Sequence, residues 1–174
     1  MTTFIKERPL PGTGAAAWGA KGSGGKGKVT VDDDANFLAR FGNGSVGVFE
    51  SSRFCGGRRN YNTFQIYGSK GSMGFNLERL NELEFYDRTQ AQSEQGYKTI
   101  LVTENVHPYV AAWWPPGHVL GYEHTFVHAI HDFLTSLESD RLPEPNFRDG
   151  VKNHAVLDAI ERSAKSAKWE RVAR

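Results

Sequence analysis

The sequence predicts an α+β fold, in which an open, largely antiparallel sheet has helices packed on one face and its other face free for oligomerisation. Two observations support this prediction. Apolar residues first alternate with polar ones and later recur about every 3.6 residues. Short glycine-containing turns separate the alternating segments, and strands joined by such turns pair antiparallel, because a parallel crossover needs a dozen or more residues. Strands followed by helices are typical of the α+β class.

The first 28 residues are rich in glycine, proline and lysine and poor in large apolar side chains. Such a segment buries too little surface to offset the entropy of an ordered chain. We therefore expect a flexible arm over residues 1–28 and one domain over residues 29–174, beginning with a strand at Val29–Val31.

Three hairpins are expected after this arm. Residues 37–41 and 46–49 flank Asn43-Gly44, a pair typical of a two-residue hairpin turn. Residues 64–66 and 73–75 flank a second turn at residues 68–71. The third hairpin joins Leu83 and Phe85 to Ile100 and Val102 across a polar loop.

The spacing of apolar residues then predicts two helices. The first covers about residues 123–138, and its predicted buried stripe consists of Phe126, Ile130, Phe133, Leu134 and Leu137. Asp149 is the expected N-cap of the second helix. Its predicted buried face consists of Val151, Ala155, Val156, Ala159, Ile160 and Ser163. Two helices cover only one face of a sheet, and the remaining aromatic residues indicate a homo-oligomer through the other face.

Composition excludes several classes of protein. The chain has 174 residues, of which 39% are hydrophobic, and a net charge of +1, so no strong field attracts nucleic acid or an anionic membrane. Its single cysteine cannot form an internal disulfide, and no run approaches the roughly 20 apolar residues of a membrane span. Lys6, Glu7 and Arg8 stand where a signal peptide would be apolar, so a cytoplasmic protein is expected.

Residues 22–27 match the spacing G-x-G-x-x-G, but the expected strand follows them instead of preceding them. Residues 12–17 match it in part, and Pro9 and Pro11 interrupt the preceding strand. A dinucleotide cradle needs a strand, a glycine turn and a helix N-terminus in that order. We therefore expect no nucleotide site in either run.

Three histidines, His124, His128 and His131, share one face of the first helix beside Glu123. A zinc site is geometrically conceivable there, but the carboxylate does not directly follow a histidine as it does in the zinc-hydrolase signature. The other interpretation is that only His124 meets a ligand. No metal site is predicted.

The residues before and at the start of this helix suggest a binding pocket. Aromatic faces beside a carboxylate and an imidazole can stack on a sugar ring and bind its hydroxyls. A proline-stiffened loop packed on the sheet explains the same residues equally well. The candidates for substrate contact are Arg53, Trp113, Trp114, Tyr122, Glu123 and His124. No catalytic residue is predicted.

An ordered series of segments is similar to the C-terminal domain of the glucose-fructose oxidoreductase / inositol dehydrogenase (Gfo/Idh/MocA) family. The series is Gly47-Val48-Phe49-Glu50-Ser51-Ser52-Arg53-Phe54, Ile66-Tyr67-Gly68-Ser69-Lys70-Gly71-Ser72, Phe75-Asn76-Leu77-Glu78-Arg79, Gly121-Tyr122-Glu123-His124-Thr125-Phe126, His131-Asp132-Phe133-Leu134, Asp149-Gly150 and Val156-Leu157-Asp158-Ala159-Ile160-Glu161-Arg162-Ser163-Ala164. It extends over nearly everything after Asp32.

The resemblance implies a sugar pocket and subunit contacts in this domain, while a separate Rossmann domain binds NAD or NADP. The sequence departs from the family pattern in three respects. It has no strand-glycine-helix fingerprint and no Asp-x-x-x-His, and Glu7-Arg8-Pro9 is the nearest string to the family's Glu-Lys-Pro. We therefore expect this chain alone to bind no cofactor.

Two functions follow as alternatives. The first is the substrate-binding and oligomerisation half of an NAD(P)-dependent sugar or polyol (cyclitol) oxidoreductase, with a separate Rossmann-domain chain as a conceivable partner. The second is a stand-alone module that binds a carbohydrate or another protein.

Overall fold

The computed structural model describes residues 1–12 and 22–173, which form eight strands and two α-helices. The strands are β1 (Glu7–Pro11), β2 (Gly22–Lys28), β3 (Asp34–Arg40), β4 (Val46–Ser52), β5 (Thr63–Tyr67), β6 (Gly71–Asn76), β7 (Glu82–Asp87) and β8 (Tyr97–Leu101). The helices are α1 (Tyr122–Glu138) and α2 (Phe147–Ser166). All of these strands pair antiparallel, which confirms the predicted fold class.

The chain divides into two compact units. Unit 1 consists of Met1–Gly56 and Phe147–Arg174, and unit 2 consists of Gly57–Asn146. Unit 1 contains two two-stranded sheets and α2, whereas unit 2 contains a four-stranded sheet and α1.

The sheet of unit 2 has the strand order β5-β6-β7-β8, and it confirms the second and third predicted hairpins. Directly opposed residues in antiparallel strands lie on the same face. The cross-strand pairs therefore place apolar side chains together on one face, namely Phe64, Ile66, Met73, Phe75, Leu83, Phe85 and Ile100. Lys98, which is paired with Phe85, shares this face, and polar residues such as Gln65 and Glu84 occupy the other face.

In unit 1, β3 and β4 form the first predicted hairpin, but its turn differs from the prediction. Phe41 and Ser45 are bonded at its base, and the Gly44 amide donates to the Phe41 carbonyl at 2.9 Å. Among the turn residues only Gly44 has a positive φ, of 88°. The connection is thus a three-residue loop with glycine in the left-handed region, because only one position needs that conformation.

The described residues of the predicted arm contain two strands, β1 and β2, which composition did not predict, and the flexibility of the arm stays a prediction. β1 pairs with β2 across residues 7–28, and Val29 donates its amide to the Lys6 carbonyl at 2.9 Å. The strand expected at Val29–Val31 therefore lies earlier, at Gly22–Lys28. Backbone pairing does not require apolar side chains, which explains why composition failed to predict these strands. The domain boundary proposed after residue 28 stays a prediction.

Asp33 anchors the N-terminal segment of unit 1. Asp33 is only 2% exposed. One of its carboxylate oxygens accepts hydrogen bonds from the amides of Phe4 and Ile5 at 2.8 and 3.0 Å. The other oxygen binds the Arg8 guanidinium. These bonds, chiefly the one from the Ile5 amide, lower the pKa of Asp33. A buried carboxylate is accommodated here because it is both paired and hydrogen-bonded.

Both predicted helices are confirmed, but not all of their predicted buried residues. Asp149 lies in the first turn of α2 and is therefore not its N-cap residue, since the helix begins two residues earlier. On the predicted face of α2 Ala159 is buried, whereas Val151 is exposed. Within residues 1–12 and 22–173, no helix is both long and apolar enough to cross a lipid bilayer.

Candidate functional site

An open cavity of about 440 Å³ lies within unit 2, beside the start of α1. Tyr122, the first residue of α1, lines it together with residues 59–60, 77–82 and 119–121. This volume falls in the range of small-molecule sites. Its wall therefore combines one aromatic side chain with several polar groups.

Asn81 joins the two sides of this cavity. Its side-chain Nδ2 donates to the Leu120 carbonyl at 2.8 Å, and the Leu120 amide donates to its Oδ1 at 2.9 Å. The Asn81 carbonyl accepts from the Val102 amide at 2.9 Å, next to β8. The residue is thus fixed to the sheet by its backbone and to the segment before α1 by its side chain.

Charged groups form part of the cavity wall. Glu78 accepts from the Arg59 amide at 2.7 Å and lies 3.7 Å from the Arg58 guanidinium. Arg79 pairs with Glu82. The positive and negative charges in the cavity wall are therefore close to balanced.

The first turn of α1 is capped by an imidazole. The Gly121 amide donates to His124 Nδ1 at 3.0 Å. Glu123 lies beside it, with Oε1 3.5 Å from the same nitrogen and a side chain that is 78% exposed. His124 is thus held in one orientation, while Glu123 is free to accept hydrogen bonds from a ligand.

Two aromatic residues before α1 pack on its histidine face. Trp113 Nε1 donates to His128 Nε2 at 2.7 Å, and the rings of Trp113 and His124 form a T-shaped pair with their centroids 4.5 Å apart. Tyr109 stacks on His128 at 4.3 Å, and its hydroxyl donates to Asp132 Oδ2 at 2.6 Å. We call these residues, Tyr109, Trp113, His124, His128 and Asp132, the aromatic latch. It fixes the segment 107–121 to α1.

The hydrogen bond inside the aromatic latch changes the titration of both partners. It lowers the pKa of Asp132, because the Tyr109 hydroxyl stabilises the charged carboxylate. The same bond raises the pKa of Tyr109, because deprotonation would place two negative charges together.

Most of the predicted site residues lie around the start of α1, although they differ in exposure. Trp114 is 72% exposed and Tyr122 is 56% exposed, whereas Trp113 and His124 are half-buried in the aromatic latch. Of these residues, only Tyr122 lines the cavity. Arg53 follows β4 in unit 1, as predicted for a strand end, and is exposed.

Sequence patterns did not reveal the contribution of Asn81 and Arg59 to the cavity. Both belong to short irregular segments, where periodicity gives no information. The only available signal for Asn81 was an amide side chain directly before a strand.

The geometry of the three histidines argues against the zinc interpretation. His124 Nδ1 and His128 Nε2 each accept a protein hydrogen bond, and His131 Nδ1 lies 3.3 Å from Asp132. In the part of the chain that the structure describes, no group of three or more potential ligands could hold a metal ion.

The glycine run at residues 22–27 lies in the extended strand β2, so its described backbone does not form a turn leading into a helix. A dinucleotide cradle requires that turn, and the run does not fit one. The second partial match, at residues 12–17, lies outside the described residues except for Gly12.

Known proteins similar to this chain are oxidoreductases. Levoglucosan dehydrogenase from Pseudarthrobacter phenanthrenivorans is 39% identical over 172 residues, which is 97% of this chain and 44% of that protein. A solved oxidoreductase domain protein from Kribbella flavida is 47% identical, with a TM-score of 0.89. The match covers 99% of this chain and 43% of the Kribbella chain. Levoglucosan dehydrogenase solved with NADH and L-sorbose is 36% identical, with a TM-score of 0.88 over the same shares.

The chain therefore spans somewhat less than half the length of these relatives. Residues 7–74 match the family model described as the GFO/IDH/MocA C-terminal domain. The sequence similarity to levoglucosan dehydrogenase continues through nearly the whole chain. Together with the antiparallel fold, these matches show that the chain belongs to the C-terminal domains of the GFO/IDH/MocA family.

Proposed function

We propose that this chain is the substrate-binding and oligomerisation half of an NAD(P)-dependent oxidoreductase that acts on a sugar or polyol. The observation that carries the proposal is the cavity of about 440 Å³ at the start of α1, in a chain 39% identical to levoglucosan dehydrogenase. Because the described glycines do not fit a dinucleotide cradle, the proposed role of this chain is limited to the sugar.

Exposed groups before and at the start of α1 suit a sugar. Tyr122 and Trp114 offer aromatic faces for stacking, and the Glu123 carboxylate can accept hydrogen bonds from hydroxyls. Trp113 and His124 support this surface through the aromatic latch. Arg53, which follows β4, remains a proposed substrate contact on the basis of the sequence alone.

Fluorine NMR of the chain labelled with 5-fluorotryptophan tests sugar binding. Addition of levoglucosan, the sugar in the name of the relative, should shift the resonance of Trp114 and leave that of Trp169 unchanged. Replacement of Tyr122 by alanine should weaken binding by roughly tenfold, or about 1.4 kcal/mol. Tyr67 is a matched control, because it is an exposed tyrosine on β5, and Tyr67→Ala should leave the affinity unchanged.

Two results would refute the proposal. One is a Trp114 resonance that does not respond to levoglucosan at any concentration. The other is tight binding of NAD or NADP by this chain alone in an isothermal titration, since the proposal assigns the cofactor to another domain or chain.

We propose further that the chain forms a homo-oligomer through the apolar face of its four-stranded sheet. Ile66 lies at the centre of β5 and is 55% exposed, and six other apolar side chains share its face. An apolar patch of this extent is typical of protein interfaces.

Light scattering on matched variants tests this interface. Ile66→Glu places a charge on the apolar face and should convert the oligomer to monomer. Gln65→Glu introduces the same charge one residue away, on the polar face, and should leave the oligomer intact. A monomeric wild-type chain would contradict the proposal.

A further inference from the structure

The two hydrogen bonds between Asn81 and Leu120 have a consequence for ligand binding. A carboxamide carries a donor group and an acceptor group in a single plane, as a peptide group does. Asn81 uses both on the backbone of one residue, which is 39 positions away in the sequence. We call this pair of bonds the Asn81 clamp.

The Asn81 clamp fixes the start of α1 to the sheet. Leu120 directly precedes Gly121, whose amide bonds to His124, and Tyr122 is the first residue of the helix. On the other side, the Asn81 backbone is bonded to Val102 beside β8. The clamp therefore sets the distance between the sheet and Tyr122.

The same residues line the cavity. Asn81, Leu120 and Tyr122 all contribute to its wall, so a change in the clamp changes the width of the cavity. A site binds more tightly when its groups are held in place before the ligand arrives, because less ordering remains to be done on binding.

We propose that Asn81 is a positioning residue for the sugar site, which acts by holding Tyr122 at the correct separation from the sheet. This inference rests on the proposed function. It adds a determinant of sugar affinity that acts through the backbone of Leu120.

Substitution of Asn81 by aspartate separates this role from a general structural one. At pH 7 the introduced carboxylate keeps the acceptor for the Leu120 amide but loses the donor and faces the Leu120 carbonyl. The affinity for levoglucosan should fall by about tenfold or more. When the carboxylate is protonated at lower pH it regains a donor, so the affinity of this variant should recover between about pH 7 and pH 4.

Three further proteins complete the experiment. Asn81→Ala removes the clamp without adding charge, and its affinity should be low at every pH. Asn105→Asp makes the same chemical change at an exposed position of unit 2 and should bind as the wild type does. Wild-type affinity should show no recovery on acidification. Thermal unfolding of each variant at each pH establishes that the folded protein is measured.

The possible failures are distinguishable. If wild-type chain binds levoglucosan and Asn81→Asp binds equally well, or shows no recovery at lower pH, the role of Asn81 is refuted while the proposed function stands. An equal loss in Asn105→Asp also refutes it, because charge alone would then explain the effect. If the wild-type chain itself does not bind, the proposed function fails, and the role of Asn81 fails with it.

Discussion

The two faces of α1 differ in a way opposite to what the sequence pattern suggests. The face with His124, His128 and Asp132 contacts Trp113 and Tyr109 in the aromatic latch. The apolar stripe lies on the opposite face, and each of its residues is 48% to 60% exposed. The stripe consists of Phe126, Ile130, Phe133, Leu134 and Leu137. The prediction that this stripe is buried is therefore wrong for this chain.

This difference separates two kinds of information in a helix. Periodicity identifies the face that gains most from burial, because the hydrophobic effect scales with apolar area. It does not identify the partner that covers the face. On the other face, by contrast, polar and aromatic side chains form directional contacts, and both partners of each contact belong to unit 2.

Loss of Trp113 should have the largest effect. Trp113→Ala removes the bond to His128 and the ring contact with His124, and should lower the free energy of unfolding by about 2 to 3 kcal/mol. Its neighbour Trp114 is a matched control, because it is 72% exposed and its replacement by alanine should cost less than about 0.5 kcal/mol. Urea denaturation measures both. Equal losses would show that the aromatic latch is not the packed face of α1.

A smaller effect should appear as a pH dependence of stability. The pKa of Asp132 is lower in the folded state than its ordinary value of 3.8. The hydrogen bond from Tyr109 therefore stabilises the fold above pH 3.8, and this stabilisation is lost as the pH falls through the folded-state pKa. The pKa of Tyr109 is raised above its ordinary value of 10.0. The stabilisation by this hydrogen bond is therefore fully present below pH 10.0 and is lost as the pH rises through the folded-state pKa of Tyr109. Wild type should therefore have a higher thermal midpoint than Asp132→Asn at pH 6, and the difference should shrink at pH 3. A constant difference would contradict this assignment.

The smallest effect is expected on the apolar stripe. Ile130 is 60% exposed, so Ile130→Lys should change the free energy of unfolding by no more than about 0.5 kcal/mol. Chemical denaturation at low protein concentration provides the measurement. A loss of about 2 kcal/mol or more would indicate that the stripe is a packed core in this chain.

The fold class, the order of strands and helices and the three hairpins could be predicted from the sequence, since each depends on local alternation and turn residues. β1 and β2 could not, because their pairing uses backbone groups that composition does not reveal. At the candidate site, the sequence predicted Tyr122, Glu123 and His124 as substrate contacts from their residue types, and of these Tyr122 lines the cavity. It did not identify Asn81, because its partner lies 39 residues away and has no distinguishing side-chain chemistry.

The sequence by itself determined which segments are extended or helical, which residues are apolar, and the family to which the ordered motifs belong. The tertiary structure decided which side chains meet, namely Asn81 with Leu120, Trp113 with His128 and Tyr109 with Asp132. The physical reason is range. Propensity and periodicity act over a few residues, whereas a hydrogen bond between distant segments depends on distances and angles that only the folded chain fixes.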